Sequence, residues 1–179
     1  MYKTSNSNQK IPFEAYKIVI AEGDEKLGSI IQEVLKSEGF RTTLAFSGDD
    51  ALSKIKGGPT EIMLTDYILP DMSGKELILK LQEKFDHTPN FITLTDSDSE
   101  KIVVEMTELG SRDFILRDQD IKILLPTVLK RVCTGINNEI KLNERLKELR
   151  CLYSISSVIE KTGISLEEIL QESVSFIPP

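Results

Sequence analysis

The chain of 179 residues has one histidine, His87, no tryptophan and only two cysteines, Cys133 and Cys151. A single imidazole argues against histidine-rich metal sites and against a Ser-His-Asp triad, and leaves no evident phospho-accepting histidine domain. The cysteines show no metal-type spacing and are expected to stay reduced in a cytoplasm. No apolar run approaches the roughly 20 residues of a membrane span, and the N-terminus lacks the apolar core of a signal peptide. Positive charge is also short: 22 Lys and Arg against 29 Asp and Glu give a net charge of −7 and a pI near 4.9. That balance argues against a nucleic-acid-binding surface. A cytoplasmic protein with neither a membrane nor a nucleic-acid partner is therefore expected.

What the chain does have is a central stretch, Glu61-Ile62-Met63-Leu64-Thr65-Asp66-Tyr67-Ile68-Leu69-Pro70-Asp71-Met72-Ser73-Gly74. A short apolar run leads into the acid Asp66, turns through Pro70 and Gly74, and opens a helical pattern at Lys75. Runs of this length bounded by turn residues read as strands buried on both faces. Similar strands are predicted over 16–21, 42–45, 91–95 and 114–116, separated by helices with apolar residues at i, i+3, i+4 and i+7 spacing. Ser47 is placed to cap the second helix. Five strand-helix units in alternation imply an α/β fold, with a five-stranded parallel sheet and right-handed crossovers.

Polar residues fall at the carboxyl ends of these strands, where open α/β sheets hold ligands. If the strand order is 2-1-3-4-5, Glu22 and Asp66 converge at the switch point. Asp24 reads equally as a helix cap or a ligand. Clustered carboxylates attract a hard cation such as Mg²⁺, and a carboxylate beside it can attack phosphorus to give an acyl phosphate. Thr95 is placed to donate to a phosphoryl oxygen and Arg117 to neutralise its charge. A P-loop at Met72-Ser73-Gly74-Lys75 is rejected, because the earlier glycine is missing and Glu76 stands where Ser or Thr is needed.

From Lys17 to about Arg131 the chain resembles the receiver domain of two-component response regulators. The match is carried by Glu22, Asp66 with Pro70 and Gly74 downstream, Thr95, Gly110 and Asp113-Phe114. The resemblance implies the flavodoxin-like receiver fold, Asp66 as phosphoacceptor, the Ile68 backbone carbonyl as a metal ligand beside Glu22 and Asp66, Thr95 as the phosphate-sensing hydroxyl and Phe114 as an aromatic switch. Its implied partner is a sensor histidine kinase or phosphotransfer protein. Three departures stand out: Gly23 replaces the second acid of the family's acidic pair, Arg117 followed by Asp118 replaces the lysine-proline pair, and Asp96 follows Thr95. They predict weak Mg²⁺ binding. They also keep open a second reading, a phosphorylation-independent pseudo-receiver serving as an interaction and dimerisation module. A small hydrolase using Asp66 lacks an evident general base.

The expected organisation is a flexible tail over 1–15, a receiver domain over 16–131, a signalling helix over 132–161 and the start of a GAF-like sensory domain over 162–179. Pro126 is expected in the first turn of the long helix. Leu142, Leu146, Leu149 and Tyr153 repeat at the coiled-coil period, with Asn137, Asn138 and Asn143 breaking the seam. The helix is expected to run from about Asp120 to Lys161, to extend about 40 Å past the receiver at 1.5 Å per residue and to pair in a homodimer. Leu152-Tyr153-Ser154-Ile155-Ser156 resembles the lead into a GAF domain. This implies the N-terminal piece of a larger signalling protein, a GAF- or PAS-containing sensor histidine kinase whose catalytic core lies outside this chain. Whether the chain is itself an enzyme stays open.

Overall fold

The computed structural model describes residues 11–85, 87–95, 100–117 and 120–159. Five strands, β1 (Lys17–Ala21), β2 (Arg41–Ala45), β3 (Glu61–Asp66), β4 (Asn90–Thr95) and β5 (Phe114–Leu116), alternate with helices. The helices are α1 (Glu25–Ser37), α2 (Gly48–Lys54), α3 (Gly74–Phe85), α4 (Glu100–Glu108) and α5 (Ile121–Ile159). All strand pairs are parallel and the order is β2-β1-β3-β4-β5. This is the flavodoxin-like receiver order. Among the described residues no helix is long and apolar enough to cross a membrane.

Every residue of β3 is buried, because it lies mid-sheet with helices on both faces. Val19, Met63 and Phe91 face one side, where Ala51, Leu77, Ile78, Leu81 and Met106 of α2, α3 and α4 complete a core. Alternation turns Ile18, Ile20, Ile62, Leu64, Ile92 and Leu94 to the other face, and right-handed crossovers put α1 there. The first half of α5 joins that side: the Tyr16 hydroxyl donates to the Cys133 carbonyl at 2.9 Å, and Lys130 pairs with Glu38 beyond the end of α1. Burial pushes the Cys133 thiol up to about 12.

The described residues fall into two compact units, one that ends at Asn137 and one that begins at Asn138. Two details of the first unit differ from expectation, and a third adds to it. Residues Phe13–Ala15, assigned to the tail, form a 3-10 turn, with the Phe13 ring 5.5 Å from that of Phe40. Asn137, one of the asparagines expected to interrupt the seam, is buried, and its Oδ1 accepts the Ile11 backbone N–H at 3.3 Å. Pro126 lies inside α5 and is buried. The helix starts at Ile121, next to the expected Asp120, which caps it by accepting from the Lys122 N–H through Oδ1 at 3.1 Å and from the Ile123 and Leu124 N–H groups through its carbonyl. In the second unit, Leu142, Leu146, Leu149 and Tyr153 are all exposed, Tyr153 by 74%. The expected GAF-like start at 162–179 lies outside the described residues.

At the amino end of β3, Glu61 is 5% exposed. It accepts from Lys17 Nζ at 2.8 Å and from the backbone N–H groups of Lys56 and Gly57 at 2.6 and 2.8 Å. A carboxylate satisfied in this way is structural.

Candidate functional site

The opposite, carboxyl edge of the sheet holds the site. Glu22 follows β1 directly, and its backbone N–H donates to the Ala45 carbonyl at 3.0 Å. Asp66 is the last residue of β3. Arg117 follows β5, fixed by donation of its backbone N–H to the Thr95 carbonyl at 3.0 Å. The three side chains meet: Arg117 Nη2 lies 3.1 Å from Glu22 Oε2 and 3.3 Å from Glu22 Oε1, and the same nitrogen pairs with Asp66 Oδ2. Together with Gly23, Asp24, Ile68, Leu69 and Pro70 they line a cavity of about 360 Å³.

Glu22 is 1% exposed and Asp66 6%. Burial raises the pKa of both carboxyls, because desolvation disfavours the charged form. For Asp66, the Arg117 guanidinium and then the backbone N–H of Ile68 offset part of that rise. For Glu22, the Asp24 N–H, donating to Oε1 at 3.0 Å, and then Arg117 do the same.

The other expected residues are placed as follows. Thr95 is buried at the end of β4, one residue beyond the Asp66–Leu94 register pair, so it shares the edge. Phe114 is half-buried against the core that includes Met106. Ile68 is exposed and lines the cavity. Asp24 caps α1, its Oδ1 accepting from the Lys26 and Leu27 N–H groups at 2.8 and 3.1 Å. Asp96 and Asp118 lie outside the described residues.

The loop between β3 and α3 carries features that strand reasoning missed. Ser73 and Glu76 form a reciprocal capping box on α3. That spacing was legible in the segment dismissed as a P-loop. Asp71 accepts from the Gly48 and Asp49 N–H groups at 2.7 and 2.9 Å, fastening the loop to the start of α2. Gly74 must be glycine, since a Cβ would stand 2.8 Å from the Asp66 carbonyl oxygen. Tyr67 donates its hydroxyl to Glu105 Oε2 at 2.7 Å, and Lys75 reaches Glu105 Oε1 at 2.6 Å. No local signal marks that pairing, whose partners are far apart in sequence.

A family model described as the response regulator receiver domain matches residues 18–128. The transcriptional regulatory protein PcoR of Escherichia coli is 30% identical over 175 residues, covering 90% of this chain and 75% of PcoR. The uncharacterized transcriptional regulatory protein YkoG of Bacillus subtilis is 28% identical over 144 residues, covering 74% of this chain and 63% of YkoG. The chain spans between 53% and 63% of the length of YkoG and two further curated relatives that it matches. Among solved structures, the signal receiver domain of a signal transduction histidine kinase from Syntrophus aciditrophicus is 26% identical with a TM-score of 0.57. That match covers 68% of this chain and 92% of that one. A Francisella response regulator receiver domain is 27% identical with a TM-score of 0.58, covering 67% and 98%. Curated relatives named as transcriptional regulators give no support to the expected exclusion of nucleic acid, nor to a kinase parent.

Receiver domains typically bind Mg²⁺ where they are phosphorylated, and the residues here do not fit that ion as they stand. Glu22 and Asp66 already share one guanidinium, Gly23 brings no side-chain oxygen, and Asp24 caps α1 through Oδ1. Among the described residues no group of three or more His, Cys, Asp or Glu is placed to hold a metal.

Proposed function

We propose, because the chain belongs to the response regulator receiver family, that it accepts a phosphoryl group on Asp66 within a cytoplasmic two-component phosphorelay. The donor is a sensor histidine kinase or a phosphotransfer protein, and α5 passes the signal onward. The observation that carries this reading is Asp66 itself, a buried carboxylate opening into a cavity at the switch point of the sheet. Attack by such a carboxylate on phosphorus gives an acyl phosphate. Thr95, at the same edge, would supply the hydroxyl that meets the phosphoryl oxygens, and Phe114 is the ring whose packing would respond.

Mass spectrometry after incubation with acetyl phosphate tests the assignment. One added phosphate is expected, absent from Asp66→Asn. A label that persists in that variant overturns it. The pairing of Asp66 with Arg117 favours a second reading, a phosphorylation-independent interaction module, because a carboxylate held in an ion pair is a weaker nucleophile. Absence of any label from small donors and from a partner kinase selects that reading.

A further inference from the structure

Each carboxylate that a divalent cation would need at this edge is committed to a partner inside the chain. One nitrogen of Arg117 bridges Glu22 and Asp66. Asp24 holds the first turn of α1. An ideal Cβ on Gly23 would lie 3.1 Å from both Cδ and Cγ of Pro70, so the proline ring crowds the place where another side chain would begin. Arg117 is a difficult tenant to displace. Its charge is permanent, its backbone is pinned to Thr95, and its side chain is only 25% exposed. Mg²⁺ dehydrates reluctantly and demands a near-octahedral oxygen shell. To enter, it would have to evict a like-charged group into a half-buried position.

We infer that the Arg117 guanidinium takes the place of the divalent cation, and that phosphoryl transfer to Asp66 proceeds without one. The inference rests on Asp66 being the phosphoacceptor. With acetyl phosphate, a carboxylate oxygen of Asp66 attacks phosphorus, the bond from phosphorus to the acetyl oxygen breaks, and its electron pair leaves with acetate. No proton moves and nothing is oxidised. A guanidinium presents five N–H donors in one plane, so one edge stays anchored on Glu22 while another meets the oxygens of the transferring group. Fork-shaped recognition of this kind suits arginine and not lysine.

Labelling by acetyl phosphate is compared in excess EDTA and in excess Mg²⁺, and Mn²⁺ binding is followed separately by paramagnetic resonance. A metal acting as a Lewis acid is worth several kcal/mol, so a metal-dependent site loses at least about tenfold in rate on chelation. The wild type is expected to hold its rate within about threefold and to show no saturable Mn²⁺ binding. Arg117→Lys exchanges the fork for a point charge and should open the gap between the carboxylates. That variant is expected to bind Mn²⁺ and to become sensitive to EDTA, and Arg117→Gln carries the same expectation for Mn²⁺. Wild-type labelling lost in EDTA, or saturable Mn²⁺ binding by the wild type, overturns the inference and leaves Asp66 as phosphoacceptor. Variants that bind Mn²⁺ no better than the wild type also overturn it. Absence of labelling in both media overturns the phosphoacceptor reading, and the transfer step with it, whatever the Mn²⁺ titration shows.

Discussion

At the scale of single residues, Asp66 and Asp71 sit five positions apart and respond to pH in opposite directions. Burial outweighs Arg117 at Asp66 and raises its pKa, so the folded state binds its proton more tightly than the unfolded chain does. Stability from this group is fully present below the ordinary carboxylate pKa of about 4 and is lost as pH rises through the raised folded value. Asp66→Asn removes that loss. Its melting temperature is expected to equal or exceed that of the wild type at neutral pH, with the gap closing towards about pH 4. A variant less stable than the wild type at neutral pH would show that the Arg117 pair dominates. Asp66 and Glu22 were readable from the sequence because strand ends concentrate ligand chemistry. That one guanidinium would join them was not readable, because Arg117 is brought in by the register of β5 against β4.

At the scale of elements, the β3–α3 loop is held by polar caps more than by apolar packing. The N–H groups of Asp49 and Gly48 hold the Asp71 carboxyl below the usual carboxylate range. The sign reverses here: the stabilisation is present above the unfolded pKa and disappears as pH falls through the depressed folded value. Asp71→Asn should therefore melt below the wild type at neutral pH and match it in acid. Hydrogen exchange at the Gly48 and Asp49 amides should quicken in the same variant. Equal melting at neutral pH would mean that Met72, packed over Gly48, fastens the loop without help. Strands and helices were legible because their apolar periods are local. The start of α5 near Asp120 was legible as well, from the end of the strand signal there, whereas Pro126, a usual first-turn residue, lies deeper because the Asp120 cap decides where the terminus lies.

At the scale of the whole molecule, the leucine stripe beyond Asn138 has the spacing of a self-pairing seam. Leu142 and Leu149 take one core position and Leu146 and Tyr153 the other. Arg145 and Arg150 then fall at the flanking positions that face each other across a parallel dimer. Apposed arginines repel, so the dimer should be weak and should strengthen with salt, which screens exposed charges over about 10 Å at 0.1 M. Sedimentation equilibrium should show the dimer fraction rising with ionic strength. Arg145→Glu should add about 0.3–0.5 kcal/mol for each new pair, and Leu146→Glu should give monomer. A monomer at every salt concentration and at tens of micromolar, taken here as roughly −6 to −7 kcal/mol of association, removes the seam.

The placement of the two thiols has a practical consequence. Cys133 is sealed into the domain core, where burial pushes its thiol up to about 12, and thiolate is the species that alkylating reagents consume. Cys151 is partly open, on the leucine-bearing half of α5. The unaltered chain therefore offers one addressable position for a maleimide dye or a nitroxide, on the helix face turned away from the seam, where a label would not obstruct the pairing of two copies. Energy transfer or dipolar coupling between copies labelled there would measure their separation directly, with no cysteine added or removed.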